Sequence, residues 1–285
     1  MLVLSAWLGV FVGGIFIGLT AGPFIALGWM FHGLWAVPLF GLFFGALGAR
    51  GARSAILRST GTKLLPPDHP VSRMVVQLAR QVNLPPPAVG IYPDRDLNAF
   101  AAGYDPSGAV VAFTQGLIDQ ATPRELIAIA AHEVAHIANR DIRRLQFAMS
   151  FQNALTWYLA FSMHLQGFMR WMLSTLGEML VLRLSRQREY WADATAAALI
   201  GKEPMIDALR RLGDDPVEPR SNRLAYSRLM IRSNPAEVFS THPTIANRIR
   251  ALQDETFLRR LPYMRAAGQP RAPHPVPAAR RTIGT

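Results

Sequence analysis

The sequence predicts a mainly helical α+β protein integral to a membrane, on three observations. From Met1 to Ala49 there is no charged side chain. Downstream, helical apolar spacing is interrupted by only three short β-type runs. Between those runs and the next apolar stretch lies His132-Glu133-Val134-Ala135-His136, an HExxH string inside a well-started helix. Half of the 285 residues are hydrophobic and 17% are charged, below the roughly 25% usual for soluble domains. No cysteine is present, which excludes disulfides, iron–sulfur clusters and Cys-based zinc sites. Any bound metal must therefore rest on His, Asp or Glu.

One membrane-spanning helix needs about 20 residues, so the uncharged opening suffices for two. Ala21-Gly22-Pro23 is the natural break, giving a transmembrane hairpin of Leu2–Thr20 and Phe24–Leu47. Small residues four apart (Gly9/Gly13, Gly14/Gly18, Gly41/Gly45) let helix backbones approach closely, within the hairpin or in a homo-oligomer. A cleaved signal peptide fits less well, because no basic segment precedes the apolar one and a second follows at once. Arg50, Arg53, Arg58 and Lys63 come next and place that end in the cytoplasm. The net charge of +11 is almost all arginine. It lies in loops beside apolar segments and in the C-terminal tail, which favours contact with membrane lipids over nucleic acid.

Between these spans and the motif, Pro66–Pro70 is a linker, and Val71–Val82 has helical apolar spacing that ends before Pro85-Pro86-Pro87. Strands are expected at Ala88–Tyr92, Asn98–Ala102 and Ala109–Phe113, the last two joined as a hairpin through Gly103–Gly108. The motif helix opens with Thr122 as cap, Pro123 in its first position and Glu125 completing a capping box. A second apolar stretch, 145–182, is interrupted by Gln152, Asn153, His164, Gln166, Arg170 and Glu178. It either crosses the membrane twice, as third and fourth segments, or lies beside it. Helices are expected at Gln187–Leu199, Pro204–Leu212 and Pro243–Leu252. From Leu258 the chain is rich in Pro and Arg with no acidic residue, the composition of a disordered basic tail. The organisation is thus 1–49 membrane hairpin, 50–257 catalytic domain with its apolar insert, and 258–285 tail.

Residues i and i+4 share a helix face, so His132 and His136 can reach one metal ion, with Glu133 beside it and free to touch water there. A hydrolytic zinc site takes a third protein ligand and leaves a fourth position for water. His-x-x-Gly-x-x-His does not follow His136, so the better candidate is Glu189, which shares a helix face with Asp193. One of them could bind the ion while the other orients a ligand imidazole. His32, His69, His164 and His274 have no partner at ligand spacing. A site joining His136 to Glu189 has a topological consequence: both must lie in one compartment, so 145–182 cannot cross the membrane once.

HExxH followed by Asn139-Arg140-Asp141, then Glu189-x-x-x-Asp193, resembles the membrane zinc metalloproteases of the HtpX type, relatives of the CAAX prenyl proteases. Asn98-Ala99-Phe100-Ala101 is similar to that family's edge-strand motif, and Ser240-Thr241-His242-Pro243 with Arg248-Ile249 to its C-terminal signature. The resemblance covers roughly residues 1–255. It implies a zincin-like (gluzincin) fold in which His132, His136 and Glu189 bind one Zn²⁺ per chain, Glu133 is the catalytic base and Asp193 supports the ligands. It further implies substrate pairing along Asn98–Ala101. His242 or Arg248 are candidates for stabilising the oxyanion, and either could equally be structural.

The function so implied is a multi-pass bacterial inner-membrane endopeptidase with a cytoplasmic catalytic domain. It would degrade misfolded or excess membrane proteins in stress-related quality control. A processing protease for lipid-modified C-termini is the alternative enzyme, with a non-catalytic zinc- or haem-binding membrane protein behind it. A retained Glu133 and the capped motif helix speak against the non-catalytic forms.

Overall fold

The computed structural model describes residues 2–103, 105–143, 167–215 and 243–261. Two apolar helices come first, α1 (Leu2–Ala21) and α2 (Pro23–Thr60), packed against each other. Gly22, at φ 98°, makes the turn between them, a left-handed conformation that glycine adopts without steric cost. A Cβ on Gly14 would collide with the side chain of Met30, so close contact of the two helices depends on that glycine. Trp7 Nε1 donates to the Leu34 carbonyl at 3.0 Å. The outer surface of the pair exposes Phe11, Leu19, Phe24, Phe31 and Phe43. Among the described residues one segment, Pro23–Phe43, is long and apolar enough to cross a membrane, and Gly9–Ala21 is a shorter apolar helix.

The expected end of the second helix at Leu47 is corrected. The helix continues without interruption through Arg50, Arg53 and Arg58 to Thr60 and stops at Gly61, which is left-handed at φ 67°. Arrival of charge marks the edge of an apolar environment, not the end of a backbone helix, and Ala, Arg and Leu are good helix formers. Ile56, fully buried on this extension, packs against one face of the sheet.

The sheet has four strands in the order β1-β2-β4-β3. The first, β1 (Lys63–Leu64), was not expected from sequence; it pairs antiparallel with β2 (Ala88–Tyr92). β2 runs parallel to β4 (Val110–Thr114), and β3 (Ala99–Ala102) pairs antiparallel with β4, Phe100 opposite Ala112. Alternation assigns the faces. Phe100, Ala102, Val110 and Ala112 join Ile56 and Tyr92 on one side. Val89, Ala99, Ala101, Val111 and Phe113 enter the main core on the other.

That core is closed by helices. α3 (Pro70–Gln81) begins at His69, whose Nδ1 accepts from the Val71 N–H at 3.2 Å. A short α4 (Gln115–Gln120), also unexpected, is capped by Thr114. α5 (Pro123–Ala138) has the full capping box: Thr122 N–H donates to Glu125 Oε2 at 2.8 Å and Glu125 N–H to Thr122 Oγ1 at 3.3 Å. α5 is the central element, in contact with β3, α3, α6 (Gly167–Ile200) and α7 (Lys202–Gly213). The expected helix at Gln187–Leu199 is only the last part of α6, which begins inside the apolar insert; residues 145–166 lie outside the described residues. α8 (Ile245–Gln253) starts at Thr244. Residues 258–261, expected in the tail, instead form a 3₁₀ turn at Leu258–Arg260 with Leu258 against the core. Residues 262–285 lie outside the described residues.

Candidate metal centre

Two helices build the centre. α5 presents His132, Glu133 and His136 from its last turns, and α6 presents Glu189 and Asp193 one turn apart on the facing side. His132 Nε2 and His136 Nε2 lie 3.1 Å apart, and Glu189 Oε2 and Oε1 lie 3.4 and 3.6 Å from them respectively. A tetrahedral ion with bonds of about 2.0–2.1 Å requires ligand atoms roughly 3.3–3.4 Å from one another. These separations are close to such edges, with a different Glu189 oxygen nearest each imidazole, and one ligand atom from each residue lies within 4.8 Å of the others.

Each imidazole is held by its other nitrogen. His132 Nδ1 lies 2.9 Å from Asp193 Oδ1, and His136 Nδ1 lies 3.1 Å from Asp141 Oδ2. Donation from both Nδ1 atoms leaves both Nε2 lone pairs aimed at one point, the arrangement that fixes metal-binding histidines. Arg248 from α8 donates through Nε and a terminal nitrogen to the two oxygens of Asp193, at 2.8 and 2.6 Å. Arg188 donates to Glu189 Oε1 at 3.0 Å. All these side chains are buried, Arg248 at 1% exposure despite its length.

Charge supplies a second test of fit. The buried carboxylates Glu133, Glu189, Asp193 and Asp141 gather around the two imidazoles with the guanidiniums of Arg188 and Arg248, so the donor set is rich in negative charge. A divalent cation offsets that charge, and burial makes an unpaired charge costly. Titration behaviour reflects these surroundings. Burial pulls His132 down, but its bonds to Asp193 and Glu189 prevail and raise it to about 9. Burial pushes Glu133 up to about 7, and both of its oxygens are buried with no hydrogen-bond partner among the described residues. Burial lowers His136 well below its usual value. For Asp193, burial acts upward, but the Arg248 guanidinium and the His132 bond hold the carboxyl below its ordinary range.

The structure therefore brings His132, Glu133, His136, Glu189 and Asp193 together and directs Arg248 onto Asp193. His242 lies outside the described residues, as do His164 and His274. His32 sits between the rings of Phe31 and Trp35. Asn98 to Ala101 lead into and form most of β3, with β4 as the neighbouring strand and α5 packed alongside. The Asn98 amide donates to Asp96 at 3.1 Å and its Oδ1 accepts from Ala99 N–H at 3.0 Å, which fixes the start of the strand. Asp141 and Arg188 received no role from sequence reasoning. The available signals were a carboxylate just past the end of the motif helix and a guanidinium beside a candidate buried acid.

Comparisons with known proteins agree with this geometry. The sequence profile of Peptidase family M48 matches residues 67–256. The chain is 31% identical over 231 residues to Protease HtpX of Actinobacillus pleuropneumoniae serotype 5b (strain L20), spanning 71% of this chain and 80% of that protein. It is 30% identical over 243 residues to Protease HtpX of Haemophilus influenzae (strain PittGG), spanning 76% and 86%. The crystal structure of S. mikatae Ste24p shares the fold with a TM-score of 0.53 at 19% identity, over 83% of this chain and 63% of that longer one. By profile, relatives and fold together, the chain belongs to peptidase family M48 and is a metallopeptidase.

Proposed function

We propose that this chain is a membrane-anchored zinc endopeptidase that cleaves misfolded or excess membrane proteins at the cytoplasmic face. The observation that carries the chemistry is the trio of donor atoms within 4.8 Å of one another beside a buried, unpartnered Glu133 carboxylate. His132, His136 and Glu189 would hold Zn²⁺, which supplies a Lewis acid for the scissile carbonyl and acidifies water. Glu133, buried beside the three donors, can accept a proton from water there and return it to the leaving amine. Asp193 and Asp141 keep both ligand imidazoles in one tautomer. Arg248 braces Asp193 and is thereby a positioning residue; its guanidinium is engaged there instead of facing a substrate oxyanion.

The membrane address rests on the apolar α1–α2 pair, its exposed aromatic surface and the arginines that follow it. The charge asymmetry supports the cytoplasmic side, the two apolar helices support multi-pass anchoring, and the HtpX resemblance supports the substrate class. The deciding experiment is Glu133→Gln with zinc content and cleavage of an unfolded protein such as casein measured on the same preparation. Zinc should be retained and cleavage should fall about 10²–10⁴-fold; undiminished cleavage refutes the reading.

A further inference from the structure

Glu189 is the donor that comes from outside the motif helix, and its two oxygens are not equivalent. Oε1 accepts a hydrogen bond from Arg188 Nη2 at 3.0 Å and lies 3.6 Å from His136 Nε2. Oε2 lies 3.4 Å from His132 Nε2, and Arg248 Nη1 stands 3.7 Å from it, beyond hydrogen-bond reach. One oxygen is thus tied to a guanidinium while the other lies against the first imidazole.

Helix geometry does not force the contact between Arg188 and Glu189. Consecutive positions on α6 point about 100° apart and do not face each other. Arg188 folds its side chain back to reach its neighbour, and it does so at 7% exposure against a carboxylate at 0%. A guanidinium stays charged at every accessible pH, and a fixed cation beside a metal ligand repels the ion that the ligand has to hold. For tightness of binding alone this neighbour is unfavourable. It offers something else, a donor that occupies one oxygen of the carboxylate.

That occupation has a chemical use. A carboxylate can bind a metal through one oxygen or through both. A hydrolytic zinc site needs three protein ligand atoms and a fourth position for water. At 3.6 Å from His136 Nε2, Oε1 is close enough to join the other donors once released, and a doubly bound Glu189 would take the place of that water.

We propose that Arg188 is a positioning residue that holds Glu189 Oε1 away from the metal, so that Glu189 ligates through Oε2 alone and the fourth position stays with water. This rests on the zinc endopeptidase reading above and gives Arg188 its role within it.

The test compares the full chain in detergent with Arg188→Met, which keeps most of the volume without a donor, and Arg188→Lys, which keeps a donor and the charge. Each is loaded with Zn²⁺ or with Co²⁺. Coordination number is read by X-ray absorption at the zinc edge and from the visible bands of Co²⁺, which weaken when four-coordination becomes five. The unaltered chain and Arg188→Lys should be four-coordinate. Arg188→Met should gain one oxygen at about 2.0–2.2 Å and bind zinc at least as tightly in chelator competition. Its kcat should fall about 10–100-fold with KM unchanged.

A residue that only supports the fold would instead weaken zinc binding and leave the coordination number as it was; that pattern overturns the proposal. So does five-coordination in the unaltered chain, a measurement that stands even where Arg188→Met does not fold. Failure of the endopeptidase reading looks different: four-coordinate zinc with no Glu133-dependent cleavage. In that case the coordination numbers of the variants still decide the role of Arg188.

Discussion

Replacing Arg248 with Met tests whether a brace at the back of the site holds the fold together. Arg248 is 1% exposed and gives two bonds, 2.8 and 2.6 Å, to Asp193, which is itself 1% exposed. Met keeps much of the volume but leaves the buried Asp193 carboxylate without its guanidinium. Breaking a buried pair by removing one partner costs about 3–5 kcal/mol. For a domain of this size each kcal/mol moves Tm by about 2–4 °C, so a loss of roughly 6–20 °C is expected. The assay is thermal unfolding of the detergent-solubilised protein, with Asp193→Asn and the double variant completing a double-mutant cycle. The double variant should recover part of the loss, because it removes the stranded charge. A loss under about 1 kcal/mol for Arg248→Met, or strict additivity of the two changes, would refute the reasoning.

Three further outcomes are expected. Asp141→Asn should weaken zinc binding by about 10–100-fold in chelator competition, since it removes the acceptor at His136 Nδ1. Chelated protein should lose stability as pH rises from 6.5 toward 9. His132, raised to about 9 in the fold, contributes stability that is complete below its ordinary value and is lost as pH passes the folded one. A Tm that climbs over that window without metal contradicts the assignment. Ile56→Ala should cost about 2–5 kcal/mol in denaturant unfolding, because the side chain is fully buried against the sheet; a neutral effect would mean that α2 is not docked there.

Features written in adjacent residues were legible in the sequence. Thr122, Pro123 and Glu125 announce the start of α5 because a capping box is made within four residues. Short apolar runs bounded by turn residues mark the strands at Ala99–Ala102 and Val110–Thr114, which are buried on both faces. Features made by distant partners were not legible. β1 is two residues long and exists through its pairing with Ile91 and Gly90. Arg248 and Asp193 meet across a long separation, so the sequence left Arg248 open between an oxyanion and a structural role. Asp141 is close to His136 in sequence, yet the contact depends on the chain reversing at Arg140. The continuation of α2 past Arg50 was hidden for another reason: hydropathy reports the surroundings of a helix and is silent about where its backbone stops.

That continuation gives the molecule a single long helix with one interior proline, Pro38, in its apolar part. At 1.5 Å per residue α2 is about 57 Å long, and Ile56, seated under β3, stands about 9 Å along it from Arg50, the first charge. Were Pro23–Phe43 to span a bilayer, the strand over Ile56 would stand near the height of the lipid headgroups. A polypeptide leaving the same membrane reaches it with about three extended residues. A change of tilt imposed on such a span by a thicker or thinner bilayer would be carried along the same helix toward β3, less whatever Pro38 absorbs. Bilayer thickness would then be a variable acting on the strand beside the metal cluster.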